Sequence, residues 1–264
     1  MLDAGEARFV FNPIGGYHHA GKNHAGGFCY VNDIGIAIMD LIKKGRRVVY
    51  IDIDVHHGNG VQDLFYKDDR VLKISIHESG MTLYPWSGFQ NEIGADAGRG
   101  YNVNIPLLKG TDDEVYVEAF ESVVPPLVKA FGPDIVFAQI GGDVHKEDPL
   151  AHLRLTSNGY KRVIQIINEL SPKIMATGGG GYNVYKTSAL WALAWATFCG
   201  ITPSDHYAGV VGGMMYGPEA HAGSLEDEPF VAKGAEKDEY RRHAEEVVDY
   251  IRKQVFPIHG IGRA

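Results

Sequence analysis

Membrane-length hydrophobic runs, clustered positive charge and a set of cysteines are all missing from this 264-residue sequence. A membrane-spanning helix needs about 20 consecutive apolar residues, and no stretch approaches that, so no membrane partner is expected. The opening MLDAGEARFVFN has neither the basic start nor the apolar centre of a secretory signal. Lys and Arg number 25 against 33 Asp and Glu, a net charge of −8, and no Lys/Arg run occurs. Phosphate recognition needs concentrated positive charge, so no nucleic-acid partner is expected either. Acidity is compatible with a cationic substrate, although solubility alone accounts for it. Cys29 and Cys199 are too few for a disulfide framework and read as buried thiols of a reducing compartment. A cytoplasmic location is therefore the expectation.

What the chain does have is 33 glycines, 12 prolines and 45% apolar residues, enough for many tight turns around a substantial core. One domain over 1–264 is expected. Residues 7–11, 47–54, 71–77 and 134–143 read as strands, and 173–182 as a strand and loop. Residues 31–45 carry apolar side chains at helical spacing and end in Lys-Lys-Gly, a helix stop. Residues 111–132 open with Thr111 and Glu114 at capping-box spacing, and Pro125 and Pro126 should kink or interrupt that helix. Residues 157–170 form another helix, 188–200 a buried one, and a charged helix over about 236–254 closes the chain. Strands alternating with helices predict an α/β fold, a mostly parallel sheet in three α/β/α layers. In such sheets ligands bind beyond the carboxyl ends of the strands.

Those ends carry unusual residues. VVYIDIDVHHGNGV (48–61) starts as an apolar strand and then places Asp52, Asp54, His56 and His57 where more aliphatics would be expected. Buried carboxylates are unfavourable unless paired or bound to a cation. Asp54 and His56 stand two apart, so on an extended chain they face the same side and can share one ion. Asp143, at the end of QIGGD, adds a third donor. Three protein ligands with an open position suit catalytic Zn²⁺, and the oxygen-rich set also accepts Fe²⁺ or Mn²⁺. A lone Asp-x-His is more often a salt-bridged strand terminus, a reading that weakens once the other strand ends are counted.

GGYHHA supplies His18 and His19, two groups suited to proton transfer near neutral pH, with Asp52 and Asn59 as candidates to orient them. An isolated His-His pair is more often incidental. GGGGYN (178–183) lacks the Gly-Lys-Ser/Thr of a phosphate loop, yet its glycines would let Tyr182 project into a cleft and donate to a developing oxyanion. Alone, it would read as a plain strand-to-helix turn. Phe28, in GGFCYVND, is an apolar wall or a core aromatic.

GGYHHA, GGFCYVNDIGIAI, VVYIDIDVHHGNGV, QIGGD and GGGGYN, in that order over residues 7 to 200, closely resemble the zinc-dependent histone deacetylase family and its acetoin-utilization-type and acetylpolyamine-type relatives. The resemblance implies an arginase/deacetylase-like fold and metal-dependent hydrolysis of an N-acyl amide. The substrate would be acyl-lysine in protein or a small acylated amine. It implies Asp54, His56 and Asp143 as ligands of Zn²⁺, with Fe²⁺ as the alternative. His19 would be the general base and His18 chiefly electrostatic, oriented by Asp52. Tyr182 would stabilise the oxyanion, and Gly27 and Phe28 would form the substrate tunnel. Asp52 and Ser75 would fall on a structural potassium site.

The departures carry their own expectations. Asn59 stands where family members often have an aspartate, which predicts a lower pKa for His19. Tyr84 replaces a tunnel phenylalanine, making that wall slightly polar. Leu150 falls where acetylpolyamine specialists carry a glutamate, and suits a peptidyl or neutral acyl substrate. His145 is an extra histidine close to Asp143 in sequence. About 15 residues precede GGYHHA where the family has a longer segment, so a fragment, or a short form completed by homo-oligomerisation, is expected. Two alternatives stand beside this reading. An arginase-type ureohydrolase would need a second metal, against which Gly58, two after His56, argues. A non-catalytic metal- or acyl-binding relative is the other.

Overall fold

A computed structural model describes residues 1–2, 4–202 and 225–262. Among them, strands β1 (Phe9–Asn12), β2 (Val48–Asp52), β3 (Val71–Glu78), β4 (Asn102–Leu107), β5 (Ile135–Gln139) and β6 (Ile174–Thr177) form one sheet in the order β1-β6-β5-β2-β3-β4. Every neighbouring pair is parallel. The α-helices among the described residues are α1 (Asp33–Lys43), α2 (Asn59–Leu64), α3 (Asp113–Phe131) and α4 (Ser157–Leu170) between strands, and α5 (Val184–Phe198) and α6 (Gly234–Gln254) after β6.

Alternation along the central strand divides the core. Val49 and Ile51 pack with apolar side chains of α3, α4, α5 and α6 on one side. Val48 and Tyr50 pack with Ile34, Ile38 and Ile42 of α1, Val61 of α2 and Phe65 on the other. All five residues of β2 are buried, as expected for a parallel strand covered on both faces. The expected three-layer α/β/α architecture is the one observed.

Strand order explains where the polar strand ends meet. The chain leaves β2 for β3 and β4 on one side, then re-enters as β5 on the other. A parallel sheet splits its loops at such a switch and opens a crevice at the carboxyl ends. Register sets Asp52 of β2 beside Gln139 of β5 and Ser75 of β3.

Several local expectations change. The α3 helix runs unbroken through Pro125 and Pro126. The carbonyls deprived of an amide partner are those of Glu121 and Ser122, an exposed and a half-buried residue, where water can replace the lost bonds. Its cap is Asp112, whose carboxylate accepts from Val115 N at 3.2 Å; the Thr111 hydroxyl instead donates to Leu108 O. The helix at α5 is buried on one face only, through Leu190, Leu193, Ala194 and Phe198, while Val184 and Tyr185 are exposed. Both cysteines are free, but Cys199 is exposed. β4 has no counterpart in the expected strands; its Pro106 is tolerated because the strand lies at the sheet edge. No helix among the described residues is long and apolar enough to cross a membrane.

Candidate metal centre and its cleft

Asp54, His56 and Asp143 meet just beyond the ends of β2 and β5, buried, with donor atoms all within 4.8 Å of one another. His56 Nδ1 lies 3.1 Å from Asp54 Oδ1 and 3.0 Å from Asp143 Oδ2. The outward oxygens of both carboxylates are held by amides. Asp54 Oδ2 accepts from Gln139 Nε2 and Gly180 N, each at 2.7 Å, and Asp143 Oδ1 accepts from Val55 N at 2.9 Å. Burial opposes charge on His56, but its hydrogen bonds to Asp143 and Asp54, which accept from it, overcome this and raise its pKa to about 11. Burial and the Asp54 charge push Asp143 up to about 7. Asp54 lies well below the usual carboxylate range, because the His18 and His56 cations outweigh its own burial. Two buried carboxylates that hold a proton on the imidazole between them form a cation site by charge and by donor type. The donor set fits one divalent transition metal.

Beside this triad stand two histidines. His18 Nδ1 donates to Asp52 Oδ2 at 2.8 Å, and the same oxygen accepts from Tyr50 Oη at 2.6 Å. Burial disfavours the His18 cation, yet Asp52 and Asp54 raise its pKa to about 9. His19 Nδ1 donates to Asn59 Oδ1 at 2.7 Å, which turns its Nε2 to face His18 Nε2 at 3.1 Å. Burial first, then the neighbouring His18 cation, lower His19 to about 3. The Asn59 hydrogen bond raises it, but less than these two lower it. The pair is placed by α2, whose Gly60 sits so close to the His18 and Ala20 carbonyls that a Cβ would collide with them. Val61 N also donates to His18 O.

The cleft above has a volume of about 230 Å³, and His18, His19, Asp54, His56, Phe28 and Tyr182 all line it. Gly26 and Cys29 close a two-residue hairpin through reciprocal bonds of 3.0 and 2.7 Å. Gly27 and Phe28 both have positive φ, 51° and 64°, the sign pattern of a type I′ turn. For a phenylalanine that backbone is strained, and it holds the ring outward at 74% exposure, 5.9 Å from the Tyr182 ring. Tyr182 reaches the cleft at the end of the glycine run, 6.4 Å from the His56 ring. Burial and the Asp54 and Asp143 charges raise the pKa of its phenol, which is therefore a donor at neutral pH. Tyr84 packs edge-on against His19 at 5.1 Å, and Leu150 is exposed, its amide held by Asp148.

The remaining candidates fall around this centre. Ser75 Oγ lies 2.8 Å from His77 Nδ1, while His77 Nε2 donates to Gly88 O. The hydroxyl therefore donates to that ring. His57 is a structural side chain, bonded to Ser87 Oγ at 2.9 Å and Gln62 Oε1 at 3.0 Å, with burial keeping it neutral. His145 engages Asp227 Oδ2 at 2.7 Å and accepts from Glu147 N. His145, Glu147 and Asp227 form a second ligand-like group, but the Lys186 ammonium already pairs with both acids. Sequence reading missed Gln139 and Asp148. Gln139 carried a signal of the same kind as Asp52, a polar residue ending an apolar strand. Asp148 carried none.

Comparison with known proteins agrees with this geometry. The family described as "Histone deacetylase domain" matches residues 1–198. Putative histone deacetylase 2 of Caenorhabditis elegans is 40% identical over 200 residues, covering 76% of this chain and 39% of that protein. Histone deacetylase B of Dictyostelium discoideum is 42% identical over 182 residues, covering 69% and 43%. The matched segment thus spans less than half of these curated relatives. The crystal structure of an HDAC homolog from Aquifex aeolicus superposes with a TM-score of 0.78 at 32% identity, covering 93% of this chain and 67% of that one. An HDAC homolog complexed with SAHA gives 0.79 at the same identity and coverage.

Proposed function

This chain belongs to the histone deacetylase family, and from that premise we propose that it hydrolyses an N-acyl amide, with acyl-lysine in protein or a small acylated amine as substrate. The observation that carries the reading is the convergence on one cleft of the Asp54–His56–Asp143 triad, the His18–His19 pair and the Tyr182 phenol. Zn²⁺ is our assignment for the triad, with Fe²⁺ as the alternative, and K⁺ for the Asp52–Ser75 edge. When bound, the transition metal supplies Lewis acidity and an acidified water.

The protein's own groups supply the rest. His19 enters neutral, its Nδ1 proton fixed on Asn59, so Nε2 takes the proton of the attacking water and returns it to the departing amine. His18 stays cationic on Asp52 and stabilises negative charge as it develops. The Tyr182 hydroxyl donates to the oxygen of the tetrahedral intermediate. Gly27 and Phe28 flank the acyl stem, and the apolar, exposed Leu150 suits a peptidyl or neutral acyl substrate better than a free polyamine. We read the protein as cytoplasmic, without nucleic-acid or membrane partners, and as a candidate homo-oligomer.

The test combines metal analysis with three substrates: an acetyl-lysine peptide, an acetylpolyamine and arginine. We expect about one transition metal per chain, deacetylation of the peptide ahead of the polyamine, and binding of SAHA, the compound held by one solved relative. Metal and SAHA binding without deacetylation would sink the enzymatic reading. Urea release with two metals per chain would replace it with a ureohydrolase.

A further inference from the structure

Tyr182 stands at the end of Gly178–Gly181, a run with almost no conformational preference of its own, so what locates the phenol must lie outside it. Three cross-links tie this run to the loop after β5. Gly142 N donates to Gly180 O at 2.7 Å, Asn183 Nδ2 donates to Glu147 O at 3.2 Å, and Tyr182 N donates to Asp148 Oδ2 at 2.7 Å. The last acts on the backbone of the functional residue itself. Asp148 is buried, and its other oxygen accepts from Leu150 N at 2.9 Å. Its own amide donates to His145 O, and Pro149 stiffens the turn between it and Leu150. One buried carboxylate therefore joins the stiff turn at Pro149 to the glycine run that carries the phenol.

We propose that Asp148 is a positioning residue for Tyr182: by holding the Tyr182 and Leu150 amides together, it sets the distance between the phenol hydroxyl and the reacting carbonyl. This rests on the assignment of Tyr182 as oxyanion donor. None of the hydrogen bonds among the described residues uses the Tyr182 hydroxyl, so the ring is not held from its polar end and its backbone anchor decides where it points. Loss of the anchor should reduce turnover more than binding, because the phenol is needed chiefly in the transition state.

The test uses the full chain with its metal, as wild type, Asp148→Ala, Asp148→Asn, Tyr182→Phe and the Asp148→Ala/Tyr182→Phe double variant. Turnover and KM on an acetyl-lysine peptide, metal content and amide hydrogen exchange across 178–183 are read together. Misplacement of a catalytic group by about 1 Å lowers rate by up to ~10²-fold, so Asp148→Ala should lose roughly 10- to 100-fold in kcat, with KM within about threefold and metal retained. Asp148→Asn, which keeps one acceptor, should fall between. In the Tyr182→Phe background the Asp148→Ala change should cost less than about twofold, because the group it positions is gone. Exchange across 178–183 should quicken in Asp148→Ala but not in Tyr182→Phe. Wild-type kcat in both Asp148 variants, unchanged exchange, or a full multiplicative loss in the double variant would each overturn the proposal. Full activity in Tyr182→Phe would instead remove its premise. Should Asp148→Ala fail to fold, Asp148→Asn decides alone: wild-type kcat refutes the coupling.

Discussion

The floor of the cleft and its mouth are built from the same few loops but are held in opposite ways. At the floor, Asp52, Asp54, Asp143 and His18 are buried, and their polar atoms are engaged by amides, phenols and imidazoles. At the mouth, the lining residues Ile14, Phe28 and Tyr17 stand 79%, 74% and 42% exposed. Floor groups are preorganised, so their geometry costs no reorganisation during reaction, and removing one partner leaves a buried charge uncompensated. Mouth groups have little to lose in stability and are free to answer to substrate. On the proposed reaction, the difference would assign catalysis to the hydrogen-bonded interior and specificity to the exposed edge.

The strongest way to break this contrast is to remove a floor ligand. Asp143→Ala should bring bound metal below about a tenth of wild type and abolish deacetylation, read by metal analysis of the purified protein. A variant that kept both would place the centre elsewhere. Tyr182→Phe should keep metal and lose ~10²-fold or more in kcat, the usual loss for a missing oxyanion donor.

Proton competition sharpens the floor further. Metal must displace the proton that Asp143 and Asp54 hold on His56, whose pKa lies at about 11. The site therefore binds less tightly as pH falls, by about tenfold per pH unit for one proton released, measurable against a competing chelator. An affinity independent of pH would contradict this arrangement.

The mouth should respond differently. Phe28→Gly suits the positive φ, so stability should hold or rise by no more than about 1 kcal/mol, while KM rises several-fold with kcat nearly unchanged. A large fall in kcat would make Phe28 part of the floor. The smallest effect is expected from Asn59→Asp. A carboxylate beside His19 Nδ1 favours the imidazolium and raises its pKa, moving the acid limb of the pH–rate profile upward by about one unit.

Much of this site was legible before any coordinates. Asp54, His56 and Asp143 betrayed themselves as charged residues ending apolar strands, and a parallel sheet gathers such ends by topology. Local chemistry was less legible. Pro125 and Pro126 interrupt a helix only if the carbonyls they orphan cannot reach water, which depends on which face is buried. Tyr84 and Leu150 read as cleft walls, but their placement follows loops that no periodicity describes. Asn59 was paired with His19, and the two are hydrogen-bonded, but the burial and the His18 cation that lower the His19 pKa were not legible along the chain.

The sequence by itself determined the α/β alternation, the polar strand ends and the family to which the chain belongs, because these depend on residue type and spacing along one segment. Only the tertiary structure decided which buried charge holds which proton, and that Asp148 reaches across 34 residues to the Tyr182 amide. Such pairings arise where two loops meet, and their energies depend on burial and distance rather than on order along the chain.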